Sequence, residues 1–136
     1  MAQLVTYVYF NGNCKEAMTF YHQCLGGRLE FTTVGDTPMS GDLPKSMKQC
    51  VLQSKLQSNH INIMGSDMIG DDGWMQGNNI AMLVNCDSRE QITTLYKNLG
   101  EGGQPIHPIE PTFYGALFGG LIDRFGNSWL FNYTNK

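Results

Sequence analysis

The chain has 136 residues, close to the length of one average domain. Hydrophobic residues make up 41% of it and charged residues only 15%, with a formal net charge of −3 at pH 7. Because this composition has no basic excess, we expect neither nucleic acid nor a membrane surface as a partner. No apolar run approaches the ~20 residues of a membrane-spanning helix, and the N-terminal residues do not match a secretory signal. We therefore expect a cytoplasmic location.

The four cysteines do not match a metal site or a disulfide framework. They form no Cys-x-x-Cys pair and no cluster with the spacing of a zinc site. We expect reduced thiols, most of them buried as small hydrophobic groups. The four are Cys14, Cys24, Cys50 and Cys86.

The first half of the chain predicts a strand, a helix and three strands. The first strand is expected at residues 4–10, which are rich in Val and Tyr. The helix begins after Asn13, which is expected to form a capping box with Glu16, and ends at Gly26-Gly27. The three further strands are predicted at residues 28–34, 47–56 and 60–64.

The second half repeats this order after a Gly- and Asp-rich connector, residues 67–78. A strand is predicted at residues 79–85, and Asp87 or Ser88 caps a helix that ends at Gly100. Three strands follow at residues 104–109, 114–123 and 128–133. The sequence thus predicts one α+β domain over residues 1–136, built from two βαβββ modules at about 1–66 and 79–136.

Three segments carry a resemblance to a known family: YVYFNGNCKEAMTFYHQCLGG near the start, INIMGSD in the middle and GGLIDRFGNSWLFNY near the end. The chain resembles the PhnB-like branch of the vicinal oxygen chelate superfamily, relatives of glyoxalase I, bleomycin-resistance proteins and extradiol dioxygenases. The resemblance implies curled mixed sheets around a cavity, with the helices on the convex side. It also implies that four side chains, one from the first and one from the last strand of each module, commonly hold a divalent metal.

Carried over to this chain, the four metal positions fall on Thr6, Asn62, Asn79 and Leu130. A leucine has no donor atom, and neutral amide oxygens bind divalent cations weakly. We therefore expect no metal and no other cofactor, and negligible glyoxalase I activity. Some family members carry a demethylubiquinone methyltransferase description, but no Gly-x-Gly-x-Gly pattern follows a predicted strand, as a Rossmann-like cofactor site would require.

Strand alternation predicts ligand-binding residues without reference to the family, since alternate residues point to opposite faces of a sheet. On this basis Trp129 and Phe131 pack beneath a helix, whereas Leu130 and Asn132 face the enclosed space. A lining of amides among apolar groups suits a small organic ligand. The predicted ligand-binding residues are Thr6, His60, Asn62, Asn79, Leu130 and Asn132.

Several polar residues have two readings. His107 and Glu110, in the segment IHPIEP, form either an acid-base pair at the rim of the cavity or two polar residues on a proline-stiffened loop. His60 is either a base or ligand, or a solvated residue at the start of a strand. Asn62 and Asn79 either bind substrate or hydrogen-bond each other.

Two functional classes remain open. The missing metal ligands favour a protein that binds a small organic molecule without chemistry. The alternative is a small cytosolic enzyme, an isomerase, lyase or dioxygenase-like protein, acting on a small organic substrate. Because modules of this family pair within a chain or between chains, we also expect a homodimer.

Overall fold

The computed structural model describes residues 2–38, 41, 43–70 and 72–134. Position 71 of the predicted connector lies outside these residues. The chain divides into two compact units, Met1–Met75 and Gln76–Lys136. Each unit contains one βαβββ module with a four-stranded mixed sheet, which confirms the predicted α+β class and the duplication. The expectation that both modules form one domain stays a prediction.

The first unit contains β1 (Thr6–Tyr9), α1 (Cys14–Leu25), β2 (Arg28–Thr33), α2 (Lys45–Lys48), β3 (Val51–Gln57) and β4 (Asn62–Ser66). The sheet order is β1-β4-β3-β2, with β1 parallel to β4 and the other pairs antiparallel.

Three predicted strand starts in the first unit were wrong, and the strand predicted at residues 4–10 covers only Thr6–Tyr9. The strand predicted from Met47 begins at Val51, because the Pro44 carbonyl accepts the amides of Met47 and Lys48 and closes the helical turn α2. The strand predicted from His60 begins at Asn62, because the Ser58 hydroxyl accepts the amides of residues 60 and 61 and holds them in a turn.

The start of α1 also differs from the prediction. Asn13 makes no side-chain capping bond, so the capping box with Glu16 was wrong. Instead, Asp67 Oδ1 accepts the Cys14 amide at 2.9 Å, and Asp67 Oδ2 accepts the Val51 amide at 3.0 Å. One carboxylate from beyond β4 therefore satisfies a free amide of the helix and ties it to β3.

The second unit contains β5 (Met82–Asn85), α3 (Arg89–Leu99), β6 (Gln104–Pro111), β7 (Ala116–Ile122) and β8 (Ser128–Thr134), in the sheet order β5-β8-β7-β6. Here the predicted cap is confirmed, since Ser88 Oγ accepts the Gln91 amide at 3.0 Å. The strand predicted from Asn79 begins only at Met82.

Each sheet packs one face against a helix, and we call this the helix face and the opposite one the open face. Helix α1 contacts β2, β3 and β4, and α3 contacts β7 and β8. The helices bury Met18 and Tyr21 of α1 and Ile92 and Leu99 of α3 against these faces. Apolar burial therefore fixes the helix faces, and any ligand surface on a sheet lies on its open face.

All four cysteines are free, and Cys14 and Cys86 are buried. None of the helices in the described ranges is long and apolar enough to cross a membrane.

Candidate functional site

The open face of the second sheet carries two rows of side chains. Because paired residues point to the same side of a sheet, the strand register defines each row. The first row runs Leu83, Leu130, Gly120 and His107, and the second runs Asn85, Asn132, Phe118 and Glu110. The intervening Trp129 and Phe131 are buried on the helix face, which confirms the predicted alternation of β8. Each row crosses four strands, about 14 Å at the usual strand spacing.

His107 and Glu110 reach this face through an irregularity in β6. Residues three apart in a regular strand point to opposite faces. Here His107 pairs with Gly120 and Glu110 with Phe118, so three steps along β6 match two along β7, with a register shift between them. Such a bulge restores the same direction to both side chains. The two polar residues thus lie in a strand of the sheet rather than on a loop.

Gly120 lies between the side chains of Leu130 and His107. A Cβ atom built on Gly120 would lie 2.8 Å from Leu130 Cδ2 and 3.9 Å from His107 Cδ2. Both side chains therefore occupy the space above the glycine, on the open face. The short residue leaves room for a leucine and an imidazole to converge, which joins an apolar surface to a polar group.

The amides of the second row are hydrogen-bonded to each other. Asn132 Nδ2 donates to Asn85 Oδ1 at 3.3 Å and also lies 3.4 Å from the Thr134 hydroxyl. Among the described residues, the Asn85 amide nitrogen and the Asn132 amide oxygen have no other partner. The pair thus offers a ligand one donor group and one acceptor.

The open face of the first sheet has a different lining. Asn62 pairs with Gln57 and Met64 with Lys55, so all four lie on one face. The amide of Asn62 accepts a long 3.5 Å hydrogen bond from Gln57 Nε2. Tyr7 pairs with Met64 in the parallel register, which places Tyr7 and Tyr9 on this same face, with ring centroids 5.3 Å apart.

Three sequence-predicted ligand residues lie away from the expected strand faces. Thr6 pairs with Ile63, which is buried on the helix face, so Thr6 does not share a face with Asn62. His60 lies in the exposed turn before β4, and Asn79 lies in an exposed bend before β5. Their ligand-binding role stays a prediction, but the shared-face argument does not support it. Leu130 and Asn132 do lie on one face, as expected.

Sequence reasoning missed Tyr7, Tyr9 and Asn85. A signal was available, because counting back in steps of two from the buried Phe10 places residues 6 and 8 on the helix face and the two tyrosines opposite. The same count back from the buried Cys86, which follows β5, separates Met82 and Val84 from Leu83 and Asn85.

The residues present do not fit the divalent metal of the superfamily. On the open face, Tyr7 and Met64 are the paired residues of the first and last strands of the first module, and Leu83 and Leu130 are their counterparts in the second. As metal ligands, these four side chains offer one phenol, one thioether and two alkyl groups. Within the described ranges, no three His, Cys, Asp or Glu side chains are grouped so as to hold a metal ion.

The buried cysteine Cys14 is not suited to nucleophilic chemistry. Burial raises the pKa of its thiol to about 11, partly offset by a hydrogen bond to Ser54, whose Oγ lies 3.4 Å from Cys14 Sγ. A thiol with this pKa is protonated at neutral pH, and the thiolate is the reactive form. Cys14 is therefore a buried group that packs between α1 and the sheet.

Comparison with solved structures defines the class of the fold. The chain matches protein PA1353 of Pseudomonas aeruginosa with 35% identity and a TM-score of 0.88, covering all of both chains. It matches the PhnB protein of Bacillus cereus with 20% identity and a TM-score of 0.76, over 98% of this chain and all of that one. A glyoxalase/bleomycin resistance protein/dioxygenase family enzyme of Burkholderia phytofirmans, 15% identical, gives a TM-score of 0.65 over 96% of this chain and 98% of its own.

The fold is thus that of the glyoxalase and bleomycin-resistance proteins, the vicinal oxygen chelate superfamily. Within it, residues 2–131 match the family model described as 3-demethylubiquinone-9 3-methyltransferase, and the chain belongs to this PhnB-like family. The resemblance inferred from the three sequence segments is confirmed.

Proposed function

We propose that the protein binds a small organic molecule on the open face of the second sheet. The observation that carries this proposal is that two rows of side chains lie on one face of the four strands. The first row begins with two leucines and the second with two amides. Leu83 is 52% exposed although it lies in a strand, next to Leu130. Apolar side chains beside a few orienting polar groups are typical of ligand sites.

The lining suits a flat, partly apolar ligand. Leu130 and Phe118 supply apolar surface, and the Asn85–Asn132 pair supplies a donor and an acceptor for orientation. The rows lie two residues apart along β5, β7 and β8, about 7 Å, which is the width of one six-membered ring with its substituents. The polar groups at the β6 edge then meet one end of the ligand.

A second candidate function is catalysis of proton transfer on such a ligand. The β6 bulge supports it, since it places His107 and Glu110 on the ligand-facing side instead of on opposite faces. An imidazole and a carboxylate at one end of a site are suited to general acid-base chemistry, as in isomerases and lyases. Turnover of a bound ligand that is lost in His107→Gln, with binding retained, would establish this second function.

A ligand screen with matched variants tests the binding proposal. Hits from a thermal-shift screen of small organic compounds are expected to lose affinity in Asn132→Leu and in Leu130→Asp, and to keep it in Asn59→Leu, an exposed turn residue of the first unit. Asn132→Leu should keep or raise the melting temperature, because it removes a polar group from a strand. Wild-type affinity in both second-sheet variants would contradict the proposal.

We also propose that the protein is a homodimer in the cytoplasm. Phe113 and Tyr114, at the turn between β6 and β7, are both exposed with ring centroids 5.1 Å apart, and such an aromatic patch favours contact with another chain. Four free cysteines suit a reducing compartment. Light scattering that shows a monomer at micromolar concentration would contradict the dimer, and cell fractionation checks the location.

A further inference from the structure

The second sheet contains a single charged residue. In the described strands Met82–Asn85, Gln104–Pro111, Ala116–Ile122 and Ser128–Thr134, Glu110 is the one Asp, Glu, Lys or Arg. The open face on which it lies is otherwise built from leucines, a phenylalanine, amides and a histidine. Any electrostatic selection by these strands therefore comes from one carboxylate.

The carboxylate of Glu110 has no cationic partner within the part of the chain that the structure describes. The ion pair found there, Arg28 to Glu30 at 2.8 Å, belongs to the first sheet. Glu110 is exposed, so its charge is stable without a partner. A ligand cation that reaches this carboxylate displaces only water and does not have to break an existing ion pair.

An aromatic ring lies beside the carboxylate. Glu110 pairs with Phe118, and Phe118 pairs with Asn132, so the ring separates the acid from the amide pair on the same face. Ammonium groups bind favourably over aromatic rings as well as to carboxylates. An anion at the same place would meet a like charge and no compensating cation.

Building on the proposed function, we infer that the ligand of the second sheet is a primary or secondary amine with an apolar ring or chain. Its ammonium group lies at Glu110 and Phe118, and its apolar body lies over Leu130 toward the Asn85–Asn132 pair. His107, at the same edge, accepts or donates one further hydrogen bond. Carboxylic acids and phosphate esters of the same size are rejected.

Three probes of one shape test this inference: benzylamine, benzyl alcohol and benzoate, titrated by NMR into the full chain. Benzylamine is expected to bind about tenfold more tightly than benzyl alcohol, which corresponds to about 1.4 kcal/mol for one charged contact. Benzoate should bind more weakly than either. Glu110→Gln should remove the preference for the amine, whereas Glu101→Gln, an exposed acid in the loop before β6, should keep it.

The outcomes separate this inference from the proposed function. Equal or tighter binding of benzoate, an amine preference that survives Glu110→Gln, or no binding of benzylamine overturns the amine class. In each of these cases the proposed function still stands if other hits from the screen depend on Asn132 and Leu130. If no hit depends on those two residues, the proposed function fails first.

Discussion

In each module an aromatic ring fills the equivalent space beneath the helix. The ring comes from the residue after β1 in the first module and from β8 in the second. In the first, Val8 pairs with Gly65, and a Cβ on Gly65 would lie 2.9 Å from Cε2 of the buried Phe10. In the second, Val84 pairs with the buried Phe131. The second-module counterpart of Phe10 is Cys86. Each residue follows the first strand of its module, and its backbone amide donates to a carbonyl of the last strand.

This exchange of a ring between two strands shows what the duplicated fold requires. The helix face needs a fixed volume, and either neighbouring strand can supply it. The open faces show no such compensation. The first sheet has Arg28, Glu30 and Lys55 in its strands, whereas the second has only Glu110. The modules are therefore alike in the volume that they pack beneath the helix, and they differ in the side chains of the open face, where a ligand can bind.

The largest expected effect is the loss of either ring. Phe131→Ala and Phe10→Ala should each lower the free energy of unfolding by about 3–5 kcal/mol, because each leaves a cavity under a helix. Cys86→Ala, at the counterpart of Phe10, should cost only about 1 kcal/mol. Urea denaturation of the three variants checks this order.

A double variant sharpens the same comparison. Gly65→Ala should cost about 1–3 kcal/mol in the wild type, because the new methyl group meets the Phe10 ring. It should cost less in the Phe10→Ala background, where that ring is absent. Additive losses would mean that Gly65 and Phe10 do not share the space.

The next effect concerns one hydrogen-bonded carboxylate in each module, the buried Asp123 and the half-buried Asp67. Asp123 accepts the amides of Phe125 and Asn127 at 2.8 and 3.0 Å and the Trp129 indole at 2.8 Å, whereas Asp67 accepts two backbone amides. Asp123→Ala should cost about 3 kcal/mol and Asp67→Ala about 2 kcal/mol, measured by urea denaturation. Asp123→Asn, which keeps one acceptor oxygen, should lie between Asp123→Ala and the wild type. An equal loss in both alanine variants would contradict the difference.

A further effect depends on pH and is larger at Cys14 of the first module than at Cys86 of the second, whose pKa burial also raises. Burial raises the pKa of Cys14 to about 11 from a usual 9.0, so the unfolded chain loses this proton at lower pH than the folded protein. The protonated Cys14 thiol therefore contributes to the free energy of unfolding fully below pH 9. This contribution, about 2–3 kcal/mol in total, is lost as the pH rises toward 11. By urea denaturation, the free energy of unfolding should fall less between pH 8 and pH 10.5 in Cys14→Ala than in the wild type. An equal fall in both proteins would contradict the assignment.

The smallest signal is expected from metal analysis. Because Tyr7, Met64, Leu83 and Leu130 offer poor ligands, the purified protein should hold far less than one atom of zinc, nickel or iron per chain. Elemental analysis after dialysis measures this. A stoichiometric metal that is lost on Tyr7→Phe would contradict it, and Tyr133→Phe serves as the control.

Most of the fold could be predicted from the sequence, because both helices carry a clear apolar face and end at glycines. Two of the errors arose where polar side chains decide the backbone. The turn at Ser58 and the cap from Asp67 depend on side chains whose partners are found only after folding. The family turn DRFGN is explained by Asp123, which gathers three donors around Gly126 at a φ of 86°.

The candidate site was predicted only where the strand alternation was regular. Leu130 and Asn132 follow from the burial of Trp129 and Phe131, so their face could be read from the pattern. Thr6 was placed by family position, and one residue of offset put it on the wrong face. For His107 and Glu110 the sequence left two readings open, since residues three apart in a regular strand point to opposite faces and the bulge is a property of the paired backbone.

The central claim is that the open face of the second sheet is the ligand surface. Mapping amide chemical shifts on titration with any confirmed screening hit tests it most directly. If this face binds the ligand, the shifts should cluster at Leu83, Gly120, Leu130 and Asn132, with Ile92 and Leu99 of α3 unmoved. Shifts that concentrate on α3 or on the first sheet, with those four amides unchanged, would contradict it.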